Sequence, residues 1–326
     1  MILLLVGIAA LLSLLLFIRI PSPDEWIRVS LDAAHGPIFA AVAVIVAIML
    51  RRARGSDGAT WPDWPVWRRA LAISVALGVV IEFLQGFAGR PPSFFDVLTD
   101  LAGALAGLAA WTLATRPERP AAPGGHREMP WLVIALGLAG LVFVLWKPLD
   151  SALAYARRAA DFPVIAAFED ADGLHFATTD GVSAAIVELP PPWSKVPGER
   201  ALELRYDPAH PPAVQILEPS PDWTGFDLVS VNLTNAGPVD LSLVLRIHDL
   251  THDWTHEDRA NLPLVIPAGT RTTVRVALDA VERAPAGRLM DLTRIDNVMV
   301  FGRPPAGAGA LYVSGIRLER GDAPRP

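Results

Sequence analysis

The chain has 326 residues, no cysteine, 52% hydrophobic residues and a formal net charge of −6. That composition excludes disulfides, thiolate metal sites and cysteine nucleophiles, and a mild charge with no basic block leaves no electrostatic footprint for nucleic acid. A soluble domain carries about 45–50% apolar residues; here the excess lies before Asp150, and the remainder has the texture of an ordinary soluble sequence.

About five segments of the first half approach the ~20 apolar residues that cross a bilayer. They cover residues 1–20, 35–50, 70–87, 97–115 and 130–146. The first lacks a basic start and a small-residue cleavage site, and Arg19 and Pro21 follow it. It therefore reads as a retained helix rather than a signal peptide. The second is the shortest and is expected to borrow residues from its flanks. Residues 1–149 are thus expected to form an α-helical transmembrane bundle.

Basic residues set the expected orientation. Arg51, Arg52, Arg54, Arg68 and Arg69 follow the second segment, and Arg116, Arg119 and Arg127 follow the fourth. The other two loops carry mainly Arg28 and Arg90. Positive-inside bias then predicts a multi-pass protein of the inner or plasma membrane, with a cytoplasmic N-terminus and an extracytoplasmic C-terminal half. Trp146 and Lys147 would anchor the last exit at the interface. On the fourth segment, Gly103-x-x-x-Gly107 allows close helix approach.

Polar residues interrupt the third and fourth segments. Glu82 and Gln85 share one helical face, and Asp96 and Asp100 share another. Charged groups near the bilayer centre cost at least ~2.5 kcal/mol each on insertion scales, so they face a partner or a cavity. Asp32 and His35 open the second segment. In the orientation above, Asp32, His35, Glu82, Gln85, Arg90, Asp96 and Asp100 fall in one layer near the outer membrane face. Two readings stay open. One is a polar pocket for a lipid-linked or cell-wall-related headgroup, in which His35, Glu82 and Arg90 could serve as acid, base and anion clamp of an outer-leaflet hydrolase or transferase. The other is a helix-pinning network, with Arg90 paired to Asp96 or Glu82, in a non-catalytic scaffold. No nucleophile signature, phosphate loop or metal quartet names a reaction, and no metal site is predicted, although one His among several carboxylates could hold a divalent cation.

The ordered set Asp32, His35, Glu82-x-x-Gln85, Arg90, Asp96 and Gly103 resembles the VanZ-like membrane family over residues 32–111. In that family an Asp and a His open a helix, followed by Glu-x-x-Gln, an Arg and Asp-x-x-x-Asn-x-x-Gly. Asp100 stands where the family usually has Asn, and Ala33 where it often has Lys. The resemblance implies a cell-envelope protein. The family's founding member is associated with resistance to a lipoglycopeptide antibiotic.

Residues 150–162 read as a linker, helical over 151–160. From 163 to the end the sequence turns to short runs of β-formers at 164–168, 184–189, 201–206, 213–217, 228–233, 240–249, 262–266, 272–278, 297–301 and 311–318. Pro190-Pro191-Pro192, Asn235-Ala236-Gly237-Pro238 and Pro267-Ala268-Gly269 punctuate them. Roughly eight to ten such strands predict an all-β sandwich, a jelly roll. Asp222-Trp223 before a strand, Arg246-Ile247-His248-Asp249 ending one, the loop with Asp258 and Arg259, and Pro267-Ala268-Gly269 resemble galactose-binding-like jelly rolls over about residues 168–318. The resemblance implies a glycan-binding or structural module.

Trp223, Asp249, Trp254 and Arg259 are the candidate ligand residues of this domain, with either Trp equally able to be buried between sheets. His248, His252 and His256 recur every four residues, but on a strand running into a loop rather than on a helix. Phe168-Glu169-Asp170 could join a structural Ca²⁺ site, although the last strand reads Val313-Ser314-Gly315-Ile316, without an acidic ligand. No other cofactor is predicted. Asp249, Asp253, Glu257 and Asp258 read as a solvated loop rather than a paired-carboxylate hydrolase. The expected partners are the lipid bilayer and an envelope ligand; the oligomeric state stays open.

Overall fold

The computed structural model describes residues 2–17, 24–54, 61–87, 92–116, 130–179, 181–220, 222–303 and 305–321. The chain divides into two compact units, Met1–Leu153 and Ala154–Pro326.

The first unit is helical: α1 (Ile2–Phe17), α2 (Glu25–Ala33), α3 (His35–Arg54), α4 (Trp64–Phe87), α5 (Phe94–Ala114) and α6 (Pro130–Asp161). Among the described residues, four helices are long and apolar enough to cross a membrane, over Glu25–Arg54, Trp64–Phe87, Phe94–Ala114 and Trp131–Asp161. Of the first expected segment, the described residues 2–17 form α1. The second expected segment draws on its flanks: with α2 joined on, Glu25–Arg54 runs for 30 residues. Glu25, Arg28 and Asp32 make α2 amphipathic and hide it from a search for continuous apolarity. The two helices meet at Ala34, whose N–H bonds the carbonyls of both Ser30 and Leu31. The helix also continues through the stretch expected as a linker, since α6 ends only at Asp161.

Small residues decide how α3 and α5 pack. A Cβ on Gly103 would collide with the Gly36 backbone, and one on Gly107 with the Ala40 backbone. The contact is therefore backbone against backbone, as small-xxx-small spacing permits. Around it Val42, Ala43, Val46, Ala47, Val66, Trp67, Ala70, Ala104 and Leu108 form one buried cluster. One end of the bundle is rich in arginine and tryptophan. Arg51 lies 5.8 Å over Trp111, Arg116 lies 5.6 Å over Trp61, and Arg54 pairs Asp63 at 3.1 Å.

The second unit is a two-sheet sandwich. Its strands are β1 (Val164–Ala167), β2 (Ala177–Thr178), β3 (Ser183–Glu188), β4 (Arg200–Tyr206), β5 (Ala213–Leu217), β6 (Leu228–Asn235), β7 (Leu241–Asp249), β8 (Ala260–Ile266), β9 (Thr270–Ala277), β10 (Ile295–Gly302) and β11 (Gly309–Glu319). One sheet runs β3-β4-β11-β6-β9, with β1 also paired to β11; the other runs β2-β5-β10-β7-β8. Every pairing is antiparallel. The alternation in β7 shows why: Leu241, Leu243, Leu245 and Ile247 point into the core while Ser242, Val244 and Arg246 face out. They meet Leu202, Leu204, Val229, Val231 and Val313 of the other sheet in a single core. Pro263, which has no backbone N–H, sits in the edge strand β8. The two-residue β2 carries no sequence pattern long enough to predict.

Candidate functional site

Three helices bring the polar residues of the first unit together. His35 opens α3, Glu82 lies in the last turns of α4, and Asp96 and Asp100 lie one turn apart at the start of α5. All four are buried, His35 with no exposed surface at all. His35 Nδ1 is 3.0 Å from Asp100 Oδ1. With Asp100 ionised and the ring neutral, this contact places the ring proton on Nδ1 and leaves Nε2 as the acceptor. Nε2 is buried, has no hydrogen-bond partner and lies 3.9 Å from Asp96 Oδ2. A ring nitrogen of His35 and one carboxylate oxygen each of Glu82 and Asp96 lie within 4.8 Å of one another.

Backbone details hold this arrangement. The Ser93 N–H donates to Glu82 Oε2 at 2.7 Å, while Ser93 Oγ accepts from the Asp96 N–H at 3.2 Å as the N-cap of α5. Gly78 leaves room for Asp100, since a Cβ there would stand 2.7 Å from Asp100 Oδ2. Gln85 is also buried, but its amide donates to the Leu15 carbonyl at 3.2 Å and so ties α4 to α1. Asp32, half-buried on α2, is not in the group within 4.8 Å. Arg90 lies outside the described residues. The arrangement offers an oriented imidazole beside two carboxylates, which suits either proton transfer or cation binding.

In the sandwich, two candidates move from ligand to structure. Trp223 is fully buried in the core, with its Nε1 donating to the Ser220 carbonyl at 2.8 Å, so it shows no face to a sugar. The Asp249 carboxylate is also buried. It accepts from Arg288 Nη1 at 2.6 Å, Arg288 Nη2 at 2.9 Å and the Asp291 N–H at 2.7 Å. Burial pushes the Asp249 carboxyl up, but these donors outweigh it and hold it below the usual carboxylate range. Arg288 also bonds Asp258, and that contact holds the Asp258 carboxyl at about 2. Arg259 is half-buried, with its Nε lacking a hydrogen-bond partner.

Trp254 stays a candidate. It is 80% exposed and holds a left-handed backbone at φ 68°. Its ring stands 5.5 Å from His252, which in turn lies 4.6 Å from His248. Burial, then the neighbouring His252, pushes His248 down to about 4. His256 is exposed and joins no group of metal-ligating atoms among the described residues. His252 instead gathers with Asp253 and Asp258, but Arg288 already engages Asp258. Glu169 and Asp170 join no group of metal-ligating atoms among the described residues. Asp170 accepts from the Asp172 N–H at 3.0 Å instead.

Sequence reasoning missed a depression of about 880 Å³ on the outer face of β3, β4 and β11, lined by Trp193, Glu203, Arg205, His210 and Tyr312. Tyr312 donates to Glu203 Oε1 at 3.0 Å, and Arg205 donates to Glu203 Oε2 at 2.9 Å. Burial and the Glu203 bond push the Tyr312 hydroxyl up to about 12. The alternation of β4 carried the available signal: with Leu202 and Leu204 inward, Glu203 and Arg205 belong to the opposite face.

No family model and no curated protein matches the chain. Among solved structures, it is similar to a family 11 carbohydrate-binding module from Clostridium thermocellum in complex with a β-1,3-1,4-mixed-linked tetrasaccharide, at 16% identity and TM-score 0.34, over 46% of this chain and 92% of that one. It is similar to a carbohydrate-binding module specific for non-crystalline cellulose, at 12% identity and TM-score 0.35, over 49% and 95%. It is also similar to an exo-β-agarase, at 13% identity and TM-score 0.37, over 46% of this chain and only 23% of the agarase.

Proposed function

We propose that this chain is a VanZ-like multi-pass membrane protein of the cell envelope, whose helical unit binds a lipid-linked or cell-wall-related headgroup near the outer membrane face. The observation that carries the reading is the convergence of His35, Glu82, Asp96 and Asp100, all buried, from three helices. Buried ionisable groups in membrane helices are costly and mark a binding or transport path more often than a packing device. The clustering of Arg51, Arg54 and Arg116 with tryptophans at one end of the bundle supports that end as cytoplasmic. The polar cluster lies where α3 and α5 begin and α4 ends, at the opposite end. In the same reading the sandwich is an extracytoplasmic, glycan-binding-like jelly roll. Exposed Trp254 and the depression beside Trp193 and Tyr312 offer aromatic and charged contacts for a sugar.

The test is retention of the purified full chain on nanodiscs containing polyisoprenyl phosphate or a polyisoprenyl-pyrophosphate-linked disaccharide, against nanodiscs of phospholipid alone. Wild-type protein binds the polyisoprenyl discs and Glu82→Gln does not, with both equally folded. Equal binding to all discs sinks the reading.

A second reading, hydrolysis or transfer of such a headgroup, draws on the His35–Asp100 contact, since it aims an imidazole acceptor at the site. It requires that Glu82→Gln abolish turnover of the bound lipid while folding and insertion stay intact. Loss of folding along with turnover returns the cluster to a structural role.

A further inference from the structure

We propose that His35, Glu82 and Asp96 hold a divalent cation of the zinc or manganese class, which would supply the positive charge that an anionic headgroup meets in this site. The inference rests on the reading of the cluster as a headgroup site and names the chemistry of recognition.

Four observations carry it. The first is orientation. A metal-binding histidine usually donates its other ring N–H to a carboxylate, which fixes the tautomer and aims the ligand nitrogen. Asp100 does this at 3.0 Å on Nδ1. The second is the ligand atom so aimed: His35 Nε2 is buried, without a hydrogen-bond partner, and directed toward Asp96 at 3.9 Å. An acceptor desolvated in that way is costly unless something electrophilic meets it.

The third observation is spacing. Donors bound at about 2.1 Å to one ion stand roughly 3–4.3 Å from each other. Asp96 already lies in that window from His35, and the whole triad lies within 4.8 Å, so closure around an ion needs only small side-chain rotations. The Ser93 amide steadies Glu82, and the absence of a Cβ on Gly78 accommodates Asp100. The fourth is charge. Glu82 and Asp96 bring two carboxylates to one buried site, and carboxylate ligands attract a dication.

The donor set selects the ion. One imidazole with two carboxylates suits zinc or manganese; a magnesium or calcium site would favour oxygen ligands throughout. Three protein ligands also leave coordination positions open, as in sites that take an exogenous oxygen ligand. A phosphate or pyrophosphate oxygen fits such a position.

The full chain, purified in detergent and stripped with EDTA, is equilibrated with ZnCl2 or MnCl2. Bound metal is counted by mass spectrometry and affinity is read by calorimetry. One ion per chain is expected. Glu82→Gln and Asp96→Asn should abolish uptake, and Asp100→Asn, a positioning change, should weaken it by about 10–100-fold. Asp63→Asn, at the arginine-rich end of the bundle, should leave it unchanged. Where a variant does not fold, X-ray absorption on the metal-loaded wild type decides: an imidazole nitrogen with carboxylate oxygens supports the site, and a shell without imidazole overturns it. Folded wild type that takes up neither ion at micromolar free metal also overturns it. Polyisoprenyl phosphate binding is then measured on the same samples. Binding by protein that holds no ion discards the cation and keeps the headgroup reading; ion uptake without headgroup binding does the reverse.

Discussion

Arg288 shows how much one side chain can hold in place. It bonds Asp249 with two nitrogens and Asp258 with a third, and the Asp249 carboxylate has no access to water. Arg288→Met leaves that carboxylate uncompensated, and stability should fall by ~3 kcal/mol or more, read by urea unfolding of the full chain in detergent. His248 gives a pH signature. Its folded value of about 4 lies below the ordinary 6.5, so the unfolded chain binds the extra proton between those pH values. Stability from this group is therefore complete above pH 6.5 and declines as pH falls toward about 4. The melting temperature of the sandwich should drop across that window, and His248→Gln should flatten the drop. An unchanged slope in the variant would assign the effect to other groups.

At the scale of elements, the closest constraint is the α3–α5 contact. Gly103→Leu must push its side chain into the Gly36 backbone, and overpacking of this kind costs ~1–3 kcal/mol or displaces the helix outright. The expected outcome is a lower melting temperature in detergent and reduced metal and lipid binding, because His35 directly precedes Gly36 on the same helix turn. Gly7→Ala, where the added Cβ meets only the end of the Ile45 side chain at 3.9 Å, should be milder. Such elements differ in how well the sequence reveals them. The strands were legible because alternation and Pro/Gly punctuation repeat locally, and β5 lies where the pattern puts it. The apolar helices were legible by the same local logic. α2 was not, because its polar face breaks the apolar run. Among site residues, Glu82, Gln85, Asp96 and Asp100 stood out as polar residues in apolar helices. The burial of Trp223 and the anchoring of Asp249 by Arg288, 39 residues away, depend on partners distant in sequence that no local window contains.

Topology is the whole-molecule property on which the headgroup reading stands. The cysteine-free chain allows single cysteines at Ser56, Pro92 and Ser220, probed with a membrane-impermeant thiol reagent on cells with an accessible inner membrane. Labelling at positions 92 and 220 but not 56 is the expected pattern. The opposite pattern would move the polar cluster and the sandwich to the cytoplasm and end the outer-leaflet proposal. One feature of the sandwich bears on how copies of the chain behave when crowded together. Open sheets expose strand edges that can recruit the edge of a neighbouring copy. Three of the four edge strands are ill suited to that: β2 is two residues long, β8 carries Pro263, and β9 carries Arg271 and Arg275, whereas β3 has no such feature. Strand-to-strand polymerisation is thereby discouraged at three edges and left to β3 at the fourth.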